Sequence, residues 1–234
     1  MAEIAGPNII TTGLILSLDA ADINSYPGSG TTWYNTANSA LNASLTNGTS
    51  YSTANKGTMV LDGTNDIISA PSVNQLGAIP NQAFEIWVKS PGLGPGKNIG
   101  GLICPDYGMI SYIAGDGNIV YYLYNTDGTF GYVMSLGTSG VNCFDNKWHH
   151  IVCTRSASTA VIYVDGVARA TTSGGGVWSG STVWSGMATS IGNNPNDVYY
   201  NLYGNIAIAK IYNVYLTADN VLQNYNVIKS RFGL

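Results

Sequence analysis

The side chains able to do acid–base work are few in this chain and far apart. Glycoside hydrolysis uses a pair of carboxylates about 5 to 10 Å apart, one as acid and one as base or nucleophile. The chain has two glutamates, Glu3 and Glu85. Glu85 alternates with Phe84 and Ile86, which puts it on a strand face with Trp87 and Lys89 and no second carboxylate. Asp62 and Asp66 bracket Gly63-Thr64-Asn65, where carboxylates serve to cap a loop. His149 and His150 are adjacent after Trp148 and so point to opposite faces of a strand. A catalytic triad would also need a nucleophile and an orienting acid. No glycine-rich stretch leads into a helix with Lys-Ser/Thr, which excludes a phosphate-cradling loop. The expectation is a protein that binds and has no catalytic residues.

Binding chemistry is better represented. Calcium takes six to eight oxygen ligands, and two stretches carry suitable oxygens: Asp19 with Asp22, and residues 193–197 (NNPND). Neither completes a calcium-loop pattern, and ordinary Asx turns explain both. Calcium stands as the alternative to no cofactor at all. Aromatic residues on polar loops are more suggestive. Sugars stack their C–H faces on Trp and Tyr, while amide, carboxylate and backbone groups meet their hydroxyls. The Gly/Ser-rich residues 174–187 carry Trp178 and Trp184, and the Asn-rich loop with Asn194 and Asp197 runs into Tyr199 and Tyr200. These six are the expected ligand-binding residues, the alternative being aromatic caps on the open ends of a sandwich. If Trp178 and Trp184 are contact residues, truncating either to Ala weakens binding by about 1 to 3 kcal/mol.

The elements that would position these groups are strands. Short apolar runs broken by Gly, Asn, Asp and Pro recur from end to end, the pattern of an all-β sandwich. Strands are predicted over 13–18, 58–61, 66–69, 83–89, 119–124, 129–136, 148–155, 160–164, 167–172 and 205–212. Asp165-Gly166 between β-branched runs is the strongest hairpin signal, because that two-residue turn needs positive φ. In 83–89 one face is apolar and the other only partly so. Near the end, Val221, Leu222, Tyr225 and Ile228 recur at helical spacing behind Thr217, a suitable N-cap, with Asp219 in the first turn and Lys229 and Arg231 at the other end. No linker or charge block divides the chain, so residues 1–12 read as an N-terminal arm and 13–234 as one domain.

Composition narrows the partners. Charged residues are 9% of the chain, against about 25% in an average soluble domain, so Asn, Ser, Thr and Gly must make the polar surface. Nine scattered Lys and Arg at a net charge of −4 make no basic track for nucleic acid or an acidic membrane. No apolar run approaches the roughly 20 residues of a membrane span, and residues 1–12 lack the marks of a signal peptide. Cys104, Cys143 and Cys153 read as buried free thiols, compatible with synthesis in a reducing cytoplasm.

Several segments in order resemble phage-encoded laminin G-like domains of the concanavalin A-like lectin/glucanase superfamily: 13–20 (GLILSLDA), 25–34 (SYPGSGTTWY), 45–48 (LTNG), 61–66 (LDGTND), 148–152 (WHHIV), 162–166 (IYVDG), 204–213 (GNIAIAKIYN) and the closing 216–234. The resemblance spans nearly the whole chain and implies an all-β, two-sheet antiparallel jelly-roll β-sandwich with one short C-terminal helix. It implies Trp33 and Tyr34 as framework. It implies a module often found on virions and often glycan-binding, with calcium in some members. Glucanases of this fold carry Glu-x-Asp-x-x-Glu on one strand, which this chain lacks. The functional expectation is therefore a non-enzymatic structural protein of a tailed-phage virion, a head decoration or fibre-associated domain, made in the host cytoplasm. Its partners would be virion proteins and host-surface glycans, with oligomerisation open. A free-standing lectin or adhesin is the alternative, and a glycoside hydrolase the third and disfavoured reading.

Overall fold

The computed structural model describes residues 8–73, 81–104, 109–124, 132–156, 159–173, 188–194 and 200–234. In chain order the strands are β1 (Leu14–Asp19), β2 (Thr32–Trp33), β3 (Ala43–Thr46), β4 (Ser50–Ser52), β5 (Thr58–Asp62), β6 (Ile67–Ala70), β7 (Gln82–Lys89), β8 (Ile99–Gly101) and β9 (Ile103–Cys104). They continue as β10 (Met109–Ala114), β11 (Ile119–Tyr124), β12 (Tyr132–Gly137), β13 (Trp148–Arg155), β14 (Thr159–Val164), β15 (Val167–Ser173), β16 (Thr189–Ile191) and β17 (Tyr203–Tyr212), and a helix α1 (Ala218–Ile228) follows.

One layer is an eight-stranded sheet ordered β15-β14-β13-β7-β17-β5-β4, with β1 also paired to β17. The ten-residue β17 is long enough for β5 and β1 to share one of its edges, β5 along Tyr203–Ile206 and β1 along Ile208–Tyr212. The second layer combines a five-stranded sheet, β2-β3-β6-β16-β9, with a four-stranded one, β12-β11-β10-β8. Leu102 joins β8 to β9 and so stitches these two sheets together. Among the described residues every strand pairing is antiparallel, including Cys153↔Ile162, Leu16↔Ile211 and Ser44↔Ser69. This is the jelly-roll sandwich the sequence predicts, closed by its one short helix. Its main core lies between the layers, where Leu16, Trp33, Phe84, Ile86, Ile113 and Ile211 are all buried.

Local chemistry sets the turns. Asp165 (φ 54°) and Gly166 (φ 77°) close the β14–β15 hairpin as a two-residue turn with Val164 opposite Val167. Thr217 Oγ1 accepts from the Asn220 N–H at 3.3 Å and Asn220 Oδ1 accepts back from the Thr217 N–H at 3.2 Å, a capping box at the start of α1. β11 and β12 pair antiparallel, and residues 125–131 between them lie outside the described residues. β5 and β6, on either side of Asp62–Asp66, belong to different layers, so that turn crosses the sandwich edge.

The partly apolar second face of β7 is covered as well. Glu85 and Trp87 are fully buried because α1, the turn after it and residues 10–14 cover the outer face of the eight-stranded sheet. Trp87 stacks on Phe232 (4.5 Å), His150 (5.0 Å) and Tyr225 (5.8 Å). Burial of an aromatic this size stabilises by at most about 4 to 6 kcal/mol at 25 cal/mol per Å². Lys229 and Arg231 fall beyond α1, in a short 3₁₀ turn, and Arg231 makes bonds of its own rather than lying against the helix end.

Candidate functional site: a tyrosine and hydroxyl face

Small polar side chains line up across the outer face of the five-stranded sheet. Thr32 pairs with Ser44, Ser44 with Ser69, Ser69 with Ser190 and Ser190 with Cys104. Directly paired residues share a face, so this is one row across five strands. Alternate residues (Trp33, Ala43, Ile68, Ile191 and Ile103) point into the core. Period-two alternation in short Ser- and Thr-containing strands produces this split. Ser44 is exposed and Ser69 half-buried. Ser190 Oγ is buried and, among the described residues, has no hydrogen-bond partner.

At its Cys104 end the row meets a tyrosine cluster. Tyr112 and Tyr122 come from the outer face of β10 and β11, since Ile113 and Tyr121 beside them enter the main core. The Tyr112 and Tyr122 rings lie 5.5 Å apart, and Tyr200 stands edge-on to Tyr112 at 5.8 Å and 85°. Gly101 permits this approach, because a Cβ there would come within 2.8 Å of the Tyr200 carbonyl and 2.9 Å of Asn193 Cα. Tyr112 is buried, while Tyr122 and Tyr200 are half-buried. Where row and cluster meet, Ser190 and Cys104 are buried, so the accessible part of the face is the half-buried rings of Tyr122 and Tyr200, with the Ser69 and Ser44 hydroxyls farther along the row. Aromatic rings and hydroxyls on one face are the groups a sugar uses.

Of the six ligand-binding residues read from the sequence, Tyr200 falls in this cluster. Asn194, buried, follows Asn193 at its edge. Trp178, Trp184, Asp197 and Tyr199 lie outside the described residues. Tyr112, Tyr122 and the serine row were not singled out by sequence. The alternation of Val120 and Tyr122 against Ile119 and Tyr121 was their only signal, and it did not say which face was open.

The residues weighed for catalysis serve the framework. Glu85 Oε1 accepts from Lys210 Nζ at 3.0 Å, and Oε2 accepts from the Tyr212 hydroxyl at 3.0 Å and from Asn224 Nδ2 at 2.6 Å. Asn224 Oδ1 in turn accepts from the Ile10 N–H, tying the start of the chain to the same cluster. His150 Nε2 is 3.3 Å from Glu85 Oε1, near enough for charge but not aligned for a hydrogen bond. Burial pushes the Glu85 carboxyl up, but Lys210 and His150 outweigh it and hold the pKa well below the usual carboxylate range. His149 does face away from His150, with Nδ1 2.9 Å from Asp165 and Nε2 3.0 Å from Asp145. Burial lowers its pKa, the two carboxylates raise it, and the net shift is upward. Asp66 Oδ2 accepts from the Asp62 N–H at 2.7 Å and Asp62 Oδ1 from the Thr64 N–H at 2.7 Å, so both cap the turn. Trp33 is buried framework, whereas Tyr34 is exposed. Asp19 Oδ1 accepts from Arg231 Nη1 at 2.6 Å, so a guanidinium already supplies the positive charge at one of the two places considered for calcium. Among the described residues no cluster of three or more His, Cys, Asp or Glu is placed to hold a metal ion.

Two antiparallel layers with a polar and aromatic outer face define a concanavalin A-like sandwich. Residues 62–222 match the Laminin_G_3 family of the concanavalin A-like lectin/glucanases superfamily, and the chain belongs to it. A search of curated proteins gives no match. Among solved structures, the binding domain of Paraclostridial Mosquitocidal Protein 1 superposes with a TM-score of 0.70 at 16% identity, over 92% of this chain and 52% of that one. The binding domain of botulinum neurotoxin serotype D gives 0.66 at 18% identity, over 92% and 52%. This chain thus spans about half the length of those toxin domains. Domain 4 of AbnA, an extracellular arabinanase from Geobacillus stearothermophilus solved with arabinotriose, gives 0.66 at 14% identity, over 91% of this chain and 98% of that one.

Proposed function

We propose that this chain is a non-enzymatic glycan-binding module and a structural protein of a tailed-phage virion, on the head or beside a fibre. The observation that carries the binding part is the tyrosine cluster of Tyr112, Tyr122 and Tyr200 abutting the hydroxyl row, on the side of the sandwich away from α1. The likeness in fold to an arabinanase domain solved with arabinotriose supports a saccharide as the ligand class. Against hydrolysis, Glu85 is enclosed and bonded to Lys210, Tyr212 and Asn224, out of reach of any substrate. The virion part rests on the phage-like segments of the sequence.

Binding of purified protein to host-surface polysaccharide tests the first part. Tyr122→Ala is expected to weaken binding by about 1 to 3 kcal/mol, as for an aromatic at the centre of a contact, with no reducing sugar released by either form. Undiminished binding in Tyr122→Ala would place the site elsewhere. Mass spectrometry of purified virions tests the second part. Absence of the chain from particles would leave a free-standing lectin.

A further inference from the structure

A separate pocket of about 310 Å³ opens beside the C-terminal segment, on the helix side of the sandwich. Half of its eight lining residues are charged, namely Asp19, Asp22, Lys56 and Arg231, in a chain where only 9% are. That concentration is the first sign that the pocket is more than a surface irregularity.

Arg231 organises it. Besides the bond to Asp19, its Nε donates to the Asn55 carbonyl at 2.7 Å and its Nη2 to the Gly57 carbonyl at 2.6 Å. Asn55 Oδ1 also accepts from Trp148 Nε1 at 3.0 Å. These bonds flank Lys56 on both sides and hold Asn55 (φ 51°) and Lys56 (φ 67°) in the left-handed region, which residues other than glycine rarely adopt. Lys56 is thus set at the pocket from a pinned backbone. Asp22 uses Oδ1 on Asn24, and no hydrogen bond reaches its Oδ2 or Lys56 Nζ among the described residues.

With Asp19 and Arg231 neutralising each other, the pocket presents one unused carboxylate oxygen, one ammonium, the Ser230 hydroxyl and the apolar side chains of Val227 and Ile228. Two positive and two negative groups sum to zero, so a lone anion or a lone cation meets repulsion as well as attraction. A neutral ring bearing hydroxyls suits it better. Its O–H groups donate to Asp22, its oxygens accept from Lys56, and its C–H face rests on Val227 and Ile228.

We infer that this pocket is a second saccharide subsite, taking one neutral, hydroxyl-rich sugar unit. The ligand class rests on the glycan-binding reading above. With subsites on opposite sides of the sandwich, one module could bridge two glycan chains and gain avidity from valency rather than from a tight single contact.

The test is an amide NMR titration with methyl glycosides of glucose, galactose and N-acetylglucosamine, and with glycine and sodium acetate as zwitterionic and anionic probes. At least one glycoside is expected to shift the resonances of Lys56, Ile228 and Ser230. Those shifts persist in Tyr122→Ala, and the affinity they report falls at least tenfold in Asp22→Asn with Lys56→Gln, whose side chains carry no structural bond beyond the Asn24 turn. Shifts that survive the double variant, or a response to glycine or acetate alone, would overturn the inference. Glycoside shifts confined to Tyr122 and its neighbours would overturn it while leaving the proposed function standing. Silence at both places would sink both.

Discussion

Glu85 sits at the junction of β7, β17, α1 and, through Asn224, the N-terminal arm, so removing its carboxylate leaves the Lys210 ammonium stranded in the interior. Glu85→Ala is expected to cost about 3 to 5 kcal/mol, the usual penalty for breaking a buried pair by deleting one partner, read as a lower urea midpoint at unchanged m-value. His149 acts at the opposite face of β13, and its effect depends on pH. Its pKa is raised on folding, so the native state binds the proton more tightly than the unfolded chain does. The stability it contributes is fully present below the unfolded value of about 6.5 and fades as pH rises through the higher folded value. Unfolding midpoints measured from mildly acidic to mildly alkaline pH should fall across that window in the native sequence. In His149→Gln the fall should be shallower, and an identical slope would remove His149 as its source.

The hairpin at Asp165-Gly166 and the helix start at Thr217 each rest on one short-range device. Gly166→Val puts a β-branched residue at φ 77° and a new Cβ within 3.2 Å of Leu222 and Tyr225, so a loss of about 1 kcal/mol or more is expected in thermal unfolding. Thr217→Ala should cost about 1 kcal/mol through the lost cap, and circular dichroism on heating would register it. Both elements were legible in the sequence because their causes lie within a few residues of each other. What was not legible depends on distant chain. The face of Glu85 and Trp87 read only as partly apolar, and its burial could not be read because the residues that cover it, Asn224, Tyr225 and Phe232, come from some 140 positions later. The tyrosine face was missed for the same reason. Tyr112, Tyr122 and Tyr200 sit in separate segments, and only the β8–β10–β11 pairing and the close approach at Gly101 bring them together.

Across the whole molecule, three cysteines report on how tightly the sandwich closes. Cys104, Cys143 and Cys153 are buried thiols that form no disulfide, and burial with the nearby Asp165 and Asp145 pushes the Cys143 thiol up to about 12. A thiol reagent at mildly alkaline pH should therefore label none of them in the native protein and all three in concentrated urea. Fast labelling of the native form would mean that the sandwich opens locally. The strand order also has a consequence for how such a protein is made. β17 lies at the middle of the eight-stranded sheet and is the bridge between β7 and the pair β5 and β1, yet it is the last strand to be translated. At about 5 to 20 residues per second, β1 waits on the order of ten seconds or longer for the strand that completes it. During that interval its apolar face and its open edge are unprotected on the ribosome. A chain halted before Tyr203 can still pair β7, β13, β14 and β15 on one side and β4 with β5 on the other, but nothing joins the two halves, and their inner edges stay open.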